Sequence, residues 1–91
     1  MKKKETIELI KGSFKPDEAR EILLQLLNNK INFHNLKNWS SQERLGKPDA
    51  YSSQRLRNLE ESRKKVQNLF SNSINGEEII TINSTIEINI E

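Results

Sequence analysis

The segment from residue 80 to residue 91 alternates between isoleucine and polar side chains, except that Ser84 occupies one isoleucine place. Isoleucine recurs at every second place, with one serine among them, and threonine, asparagine or glutamate fills the places between. The recurring residues are Ile80, Ile82, Ile86, Ile88 and Ile90. Successive side chains of a β-strand point to opposite faces. The alternation therefore predicts an extended strand with all five isoleucines on one face, and that face must lie against other apolar surface.

A second geometry fits the same residues. Asn83-Ser84 suits a two-residue turn, which would make residues 79–82 and 85–90 a hairpin within one chain. Asn-Ser is a weaker turn signal than Asn-Gly, so the single long strand is favoured. The choice matters because a hairpin would supply the strand with a partner from its own chain.

Three further elements precede this strand. A short strand is predicted over residues 6–11 and is closed by Gly12. Apolar residues then recur at three- and four-residue steps, which predicts an amphipathic helix from Pro16 to about Asn38. A second helix, with a narrower apolar seam, is predicted from about Ala50 to Ser73, and Asn75-Gly76 turns the chain into the final strand.

The connection between the helices is predicted to run from Trp39 to Asp49. Ser40, followed three residues later by Glu43, is typical of a capping box, and Gly46 suits the end of a single helical turn. Asp49 suits the N-cap of the second helix. Because the connection is short, the two helices should form an antiparallel hairpin.

These elements predict one α+β domain over residues 1–91. Its order is β-α-α-β: an antiparallel two-helix hairpin with a small antiparallel sheet formed by the N- and C-terminal strands. The C-terminal strand is longer than its predicted mate. Much of its edge would therefore be unpaired, and natural proteins tend to cover such edges.

Composition limits the class of protein. Hydrophobic residues make up 33% of the chain, which is low for a globular protein. The absence of cysteine excludes disulfides, thiolate metal sites and cysteine nucleophiles. No apolar run approaches the length of a bilayer, and charged residues interrupt the segment that follows the N-terminal lysines. We expect a soluble, cytoplasmic protein without a membrane partner, and its many asparagine, isoleucine and lysine residues are typical of an AT-rich bacterial genome.

His34 falls on the apolar face of the first helix, beside Lys30. One interpretation is a polar pocket in which His34 carries a proton or contacts an anion. Trp39, Glu43 and Arg44, in the connection, complete this candidate polar site. We favour a structural interpretation, in which His34 is packed with a satisfied hydrogen bond and the lysine stem lies along the core.

Other chemical signatures are weak. One histidine without cysteine does not indicate a metal site. The chain has no glycine-rich phosphate loop, no serine–histidine–acid arrangement and no marked carboxylate pair. We predict no catalytic residue, no metal, no cofactor and no small-molecule ligand.

Charged residues inside the hairpin are predicted to fix its register. Facing residue numbers of an antiparallel hairpin here sum to about 88–90, which brings Lys30 near Glu60 and Glu61. Arg63 lies where the pattern expects an apolar residue, so it needs a carboxylate or a route to solvent.

The second helix also has a basic character, carried by Arg55, Arg57, Lys64 and Lys65. A nucleic-acid interpretation places this helix along phosphates. Glu60 and Glu61 interrupt the basic run, no aromatic residues are interleaved for base stacking, and the net charge is only +2. A solvated helix surface explains the pattern equally well, and nucleic-acid binding remains the alternative.

The isoleucine strand favours self-association. Fully burying one isoleucine contributes about 1.5–3 kcal/mol, and five approach the whole stability of a small domain, about 5–15 kcal/mol. One helical hairpin does not cover a strand that is about 40 Å long. We therefore predict a non-enzymatic protein that forms a homodimer through its C-terminal strand and the adjoining helix faces.

Overall fold

The computed structural model describes residues 2–72 and 76–91. Strand β1 spans Lys3–Phe14, helix α1 Pro16–Leu45, helix α2 Ala50–Asn72 and strand β2 Ile80–Ile90. The two strands form an antiparallel sheet, and the two helices pack against each other. The predicted α+β class and the β-α-α-β order are confirmed.

The sheet is a ribbon that pairs over its whole length, from Lys3 opposite Ile90 to Phe14 opposite Ile80. The short N-terminal strand over residues 6–11 is therefore corrected to a strand of 12 residues that matches the 11 residues of β2. Gly12 does not end the strand, because backbone pairing continues opposite Ile82. At the N-terminal end of β1, charged residues can take part in the backbone pairing with β2 because their side chains stay in solvent. There Lys4 pairs with Glu87 at 3.1 Å.

Residues 80–90 form one strand, so the hairpin at Asn83-Ser84 does not form. Asn83 and Ser84 instead lie opposite Lys11 and Ile10. The register shifts between Glu8 and Ile10, which places a β-bulge at Leu9. The extra residue shifts by one position the alternation of β1 side chains between the two faces of the sheet. This explains why Leu9 and Ile10 are adjacent in an otherwise alternating segment.

Helix α1 is longer than predicted. It continues through Leu45, so the segment from Trp39 onward is helical rather than a loop. The reason is that no helix breaker occurs before Gly46, which adopts a left-handed conformation with φ of 74° and donates its N–H to the carbonyl of Gln42. Gly46 thus ends α1 itself.

Helix α2 begins as expected. The backbone N–H of Ser52 donates to Oδ2 of Asp49 at 2.8 Å, which is the geometry of an N-cap. The predicted end of this helix at Ser73, and Asn75 of the predicted turn, lie outside the described residues. Gly76 has a φ of 98°, as a turn glycine requires.

The core is small. Its buried apolar residues are Ala19, Ile31, Leu59 and Ile82. The radius of gyration is 16.5 Å, whereas a compact chain of this length would have about 12 Å. The molecule measures 50 × 35 × 14 Å, so it is broad and thin, and much of its apolar surface remains outside the core.

Candidate functional site

The five isoleucines of β2 share a face and divide into two groups. Helix α1 packs against β2, where Ile82 is buried and Ile80 is half-buried. Ile86, Ile88 and Ile90 are 40%, 38% and 52% exposed. The strand is therefore covered at one end and open at the other.

Ile7 of β1 belongs to the same open surface. It lies opposite Ile86, and directly opposed residues of an antiparallel pair share a face. Its side chain is 49% exposed. Sequence reasoning missed Ile7, because only the bulge at Leu9 brings it to the isoleucine side. Glu5 and Lys3, which lie opposite Ile88 and Ile90, share this face and pair with each other at 3.6 Å. We call Ile7, Ile86, Ile88 and Ile90 the open isoleucine face.

The opposite face of the ribbon is polar and solvated. Its β2 residues are all exposed: Thr81, Asn83, Thr85, Glu87 and Asn89. The ribbon is therefore not apolar on both faces, and its exposed isoleucines all lie on one side.

Helix α1 also carries uncovered apolar side chains. Leu9 and Ile10 of the ribbon line a shallow cleft with Ile22 and Leu26 of α1, so the ribbon crosses the N-terminal half of that helix. At 3.6 residues per turn, Phe33 continues the row of Ile22 and Leu26. Phe33 is exposed, as is Leu36 one turn further on.

The amount of exposed surface is large for a chain of this size. The accessible surface is 7347 Å², whereas a folded monomer of the same mass exposes about 5,500 Å². The difference, about 1,900 Å², exceeds the area that each partner contributes to a standard protein–protein interface, about 800 Å². The chain therefore has the surface needed for one such interface.

The polar interior of the hairpin centres on His34 and Ser52. Nδ1 of His34 lies 2.9 Å from Oγ of Ser52. The two residues are 7% and 0% exposed. His34 is thus packed and hydrogen-bonded, as the structural interpretation expected.

Asp49 extends this pair into a chain of hydrogen bonds. The backbone N–H of Ser52 donates to Oδ2 of Asp49 at 2.8 Å and is the largest cause of the lowered pKa of the Asp49 carboxyl, followed by the nearby Ser52 hydroxyl. Lys37 and His34 act in the same direction. In the His34–Ser52 contact, Nδ1 and Oγ can each donate or accept, according to the histidine tautomer. A catalytic triad would instead place the histidine between the serine and the acid. Here the serine is in the middle and sealed from solvent.

The other members of the candidate polar site do not converge on His34. Lys30, Glu43 and Arg44 are exposed. Trp39 is 65% exposed and lies about 140° around the helix from His34 at 3.6 residues per turn. Lys30 lies one turn before His34 on the same side of α1, but its side chain is exposed, and Glu43 lies about 180° away around the axis. The structure therefore does not bring these residues together in one site.

Small polar residues of α1 hold the hairpin tip instead. Oδ1 of Asn38 accepts from the backbone N–H of Asp49 at 2.9 Å. Oγ of Ser41 donates to the carbonyl of Lys47 at 2.8 Å. Sequence reasoning did not single out Asn38, Ser41 or Ser52. The available signal was a small polar residue on or beside an apolar stripe, where a buried partner is required.

The charged pairing between the helices differs from the prediction. Arg63 finds its carboxylate in Glu60 of the same helix at 2.8 Å, and it also donates to Oδ1 of Asn28 at 3.0 Å. Lys30 is exposed and does not take Glu60 as its partner. The expected contact fails because Glu60 lies one turn from Arg63, on the same side of α2.

The basic residues of α2 do not form one stripe. Arg57 and Lys64 share the outer side of the helix, since seven residues are close to two turns. Lys65 lies about 100° further round. Arg55 is half-buried on the side of the hairpin core. A continuous phosphate-binding surface would need these charges in line.

The sequence matches no protein-family model, and the chain matches no curated protein and no solved structure. Within residues 2–72 and 76–91, no cluster of three histidine or carboxylate side chains is placed to hold a metal ion. Over the same residues, neither helix combines the length and the apolar character needed to cross a membrane.

Proposed function

We propose that this chain is a non-enzymatic, self-associating protein that acts as a homodimer, with the C-terminal strand and the adjoining helix faces as the interface. The observation that carries the proposal is the open isoleucine face. Three isoleucines of β2 and Ile7 of β1 remain about half exposed, although their strands pair along their full length. A cytoplasmic, bacterial setting stays a prediction from the sequence.

The magnitude of the uncovered surface explains why helix faces belong to the interface. Covering what remains exposed of the open isoleucine face on two copies contributes on the order of 5–10 kcal/mol. Association itself costs about 4–15 kcal/mol. The isoleucines alone thus give a marginal complex, and burial of Phe33 and Leu36 of α1 is needed for a stable one.

A structural role also accounts for the hairpin interior. The most reactive-looking pair, Ser52 and His34, is buried and hydrogen-bonded together, and Asp49 beside it is half-buried. Hydrogen bonds of this kind specify how two helices pack and do not present a nucleophile to a substrate.

The test is a pair of glutamate substitutions on the open isoleucine face, Ile86→Glu with Ile88→Glu. We expect the doubly substituted chain to elute as a monomer in size-exclusion chromatography with light scattering, while the parent chain has twice the 10.6 kDa mass of one copy. Burying two unpaired carboxylates at an apolar interface is strongly unfavourable, whereas the solvated monomer tolerates them.

The matched control is Ile79→Glu, because Ile79 precedes β2 and is already exposed. It should leave the dimer unchanged. Circular dichroism establishes that each variant keeps its helices. A parent chain that is monomeric at all accessible concentrations refutes the proposal, and so does a folded double variant that remains fully dimeric.

A further inference from the structure

We infer that the second copy adds to the outer edge of β2, so that two ribbons join in one four-stranded antiparallel sheet of order β1-β2-β2-β1. The two copies would be related by a two-fold axis that passes beside Thr85, perpendicular to the sheet. This inference rests on the proposed homodimer and specifies which edge pairs, in which direction and in which register.

The two outer edges of the ribbon differ in their protection. Strand β1 carries Lys3, Lys4 and Lys11 and is bulged at Leu9. Lysines and bulges are the features by which natural proteins prevent edge pairing. Strand β2 has neither lysine, arginine nor proline from Ile80 to Ile90, and the extra residue of the bulge lies in β1. The edge of β2 is therefore the one suited to accept another strand.

The charge on β2 does not oppose such pairing. Its acidic residue, Glu87, is paired with Lys4 of the same copy at 3.1 Å. In the register centred on Thr85, Glu87 lies opposite Asn83 of the second copy rather than opposite another carboxylate. Like charges directly opposed would be destabilising, and this register avoids them.

The register follows from the length and the facing of β2. Opposed residues of an antiparallel pair share a face, so a two-fold axis must pass beside a residue and not between two. Thr85 is the midpoint of Ile80–Ile90, and centring there pairs every residue of the strand. Ile88 then lies opposite Ile82 of the second copy, and Ile90 opposite Ile80.

This arrangement supplies the missing cover. In each copy, α1 packs against β2, whose buried residue is Ile82, and α1 also lines a cleft with Ile10, which lies opposite Ser84. Neighbouring strands lie about 4.8 Å apart, and a helix with its side chains is about 10–12 Å wide. Helix α1 of the second copy therefore overlaps the strand that carries Ile88 of the first.

The two helices do not collide in this geometry. The two Ile82 side chains are six strand positions apart, about 20 Å along the sheet. Two helices fit side by side in that distance, since packed helices approach to about 8–10 Å. The open isoleucine face of each copy thus meets the helix of the other.

The experiment uses single cysteines, because the chain has none of its own. Thr85→Cys places two thiols at the two-fold axis on the exposed polar face, where opposed Cβ atoms are about 4.5–5.5 Å apart. The matched control is Thr81→Cys, an exposed threonine on the same face. Its two copies would be about 27 Å apart. Each variant is treated with a short bis-maleimide and analysed by denaturing electrophoresis, and its mass in solution is measured before treatment.

We expect the Thr85→Cys chain to shift largely to a covalent dimer and the Thr81→Cys chain to show little or none. A dimer in solution without cross-linking at Thr85 overturns the edge pairing and leaves the proposed homodimer intact. Cross-linking at both positions indicates parallel strands and also overturns it. A monomer without cross-links at either position refutes both proposals.

Discussion

Replacing Ser52 by alanine probes the buried contact that joins the two helices most directly. The hydroxyl of Ser52 on α2 is hydrogen-bonded to Nδ1 of His34 on α1 at 2.9 Å. Ser52→Ala removes it without adding bulk, so the helices keep their spacing. The change leaves Nδ1 of a buried histidine without its hydrogen-bond partner.

The expected loss is large for the removal of one oxygen atom. A buried polar group left unsatisfied costs about 1–3 kcal/mol, which is a substantial share of a stability of about 5–15 kcal/mol. We expect Ser52→Ala to lower the free energy of unfolding by about 1–3 kcal/mol. Urea denaturation followed by circular dichroism at fixed protein concentration measures it, since dimerisation makes stability depend on concentration.

The adjacent serine is the control. Ser53 is half-buried and accepts from Asn38 at 3.4 Å, which is a long hydrogen bond. Ser53→Ala should therefore change stability by less than about 0.5 kcal/mol. Combining His34→Leu with Ser52→Ala should cost less than the sum of the single changes, because both partners are then apolar. Equal effects of Ser52→Ala and Ser53→Ala would refute the role given to the buried chain.

Three further outcomes follow from single positions. Gly46→Ala should lower the free energy of unfolding by about 1–2 kcal/mol in urea denaturation, because alanine is strained in the left-handed conformation. The control is Gly12→Ala, whose new methyl meets the Phe14 ring at ordinary contact distance. The pKa of Asp49 is lowered in the folded state, so the stability that its charge contributes is present above pH 3.8 and lost as pH falls through the lower folded pKa. Thermal unfolding from pH 2 to pH 6 should show a weaker acid dependence in Asp49→Asn. Trp39→Ala should change stability by less than about 0.5 kcal/mol, since an exposed side chain has little packing to lose.

The elements that were predictable from sequence are those in which apolar and polar side chains recur with the period of a strand or a helix. The alternating isoleucines identified β2, and the apolar steps from Pro16 identified α1. This spacing depends only on residues that are close in sequence, so the pattern indicates the element directly. The N-cap role of Asp49 was predictable for the same reason, because a cap depends on nearby residues.

The features that sequence reasoning missed depend on long-range pairing. Strand β1 extends to Lys3 because β2 offers a backbone partner there, although the side chains of β1 at that end are charged. The bulge at Leu9, which places Ile7 on the isoleucine side, is defined by register alone. The end of α1 was placed too early because Trp39 and Ser40 look like connection residues, yet neither breaks a helix.

The candidate polar site shows the same limit. His34 was placed correctly on the apolar face, but its partner Ser52 lies 18 positions away and looks like a surface serine in sequence. The sequence interpretation combines His34, on the first helix, with Trp39 and Arg44 in the predicted connection. Once α1 continues to Leu45, the helical period separates them around the axis.

Sedimentation equilibrium of the unmodified chain, over a hundredfold range of concentration, tests the central claim most directly. Burial of the open isoleucine face should favour dimerisation. The mass should therefore rise toward twice 10.6 kDa as concentration increases. A mass that stays at 10.6 kDa throughout would contradict the account.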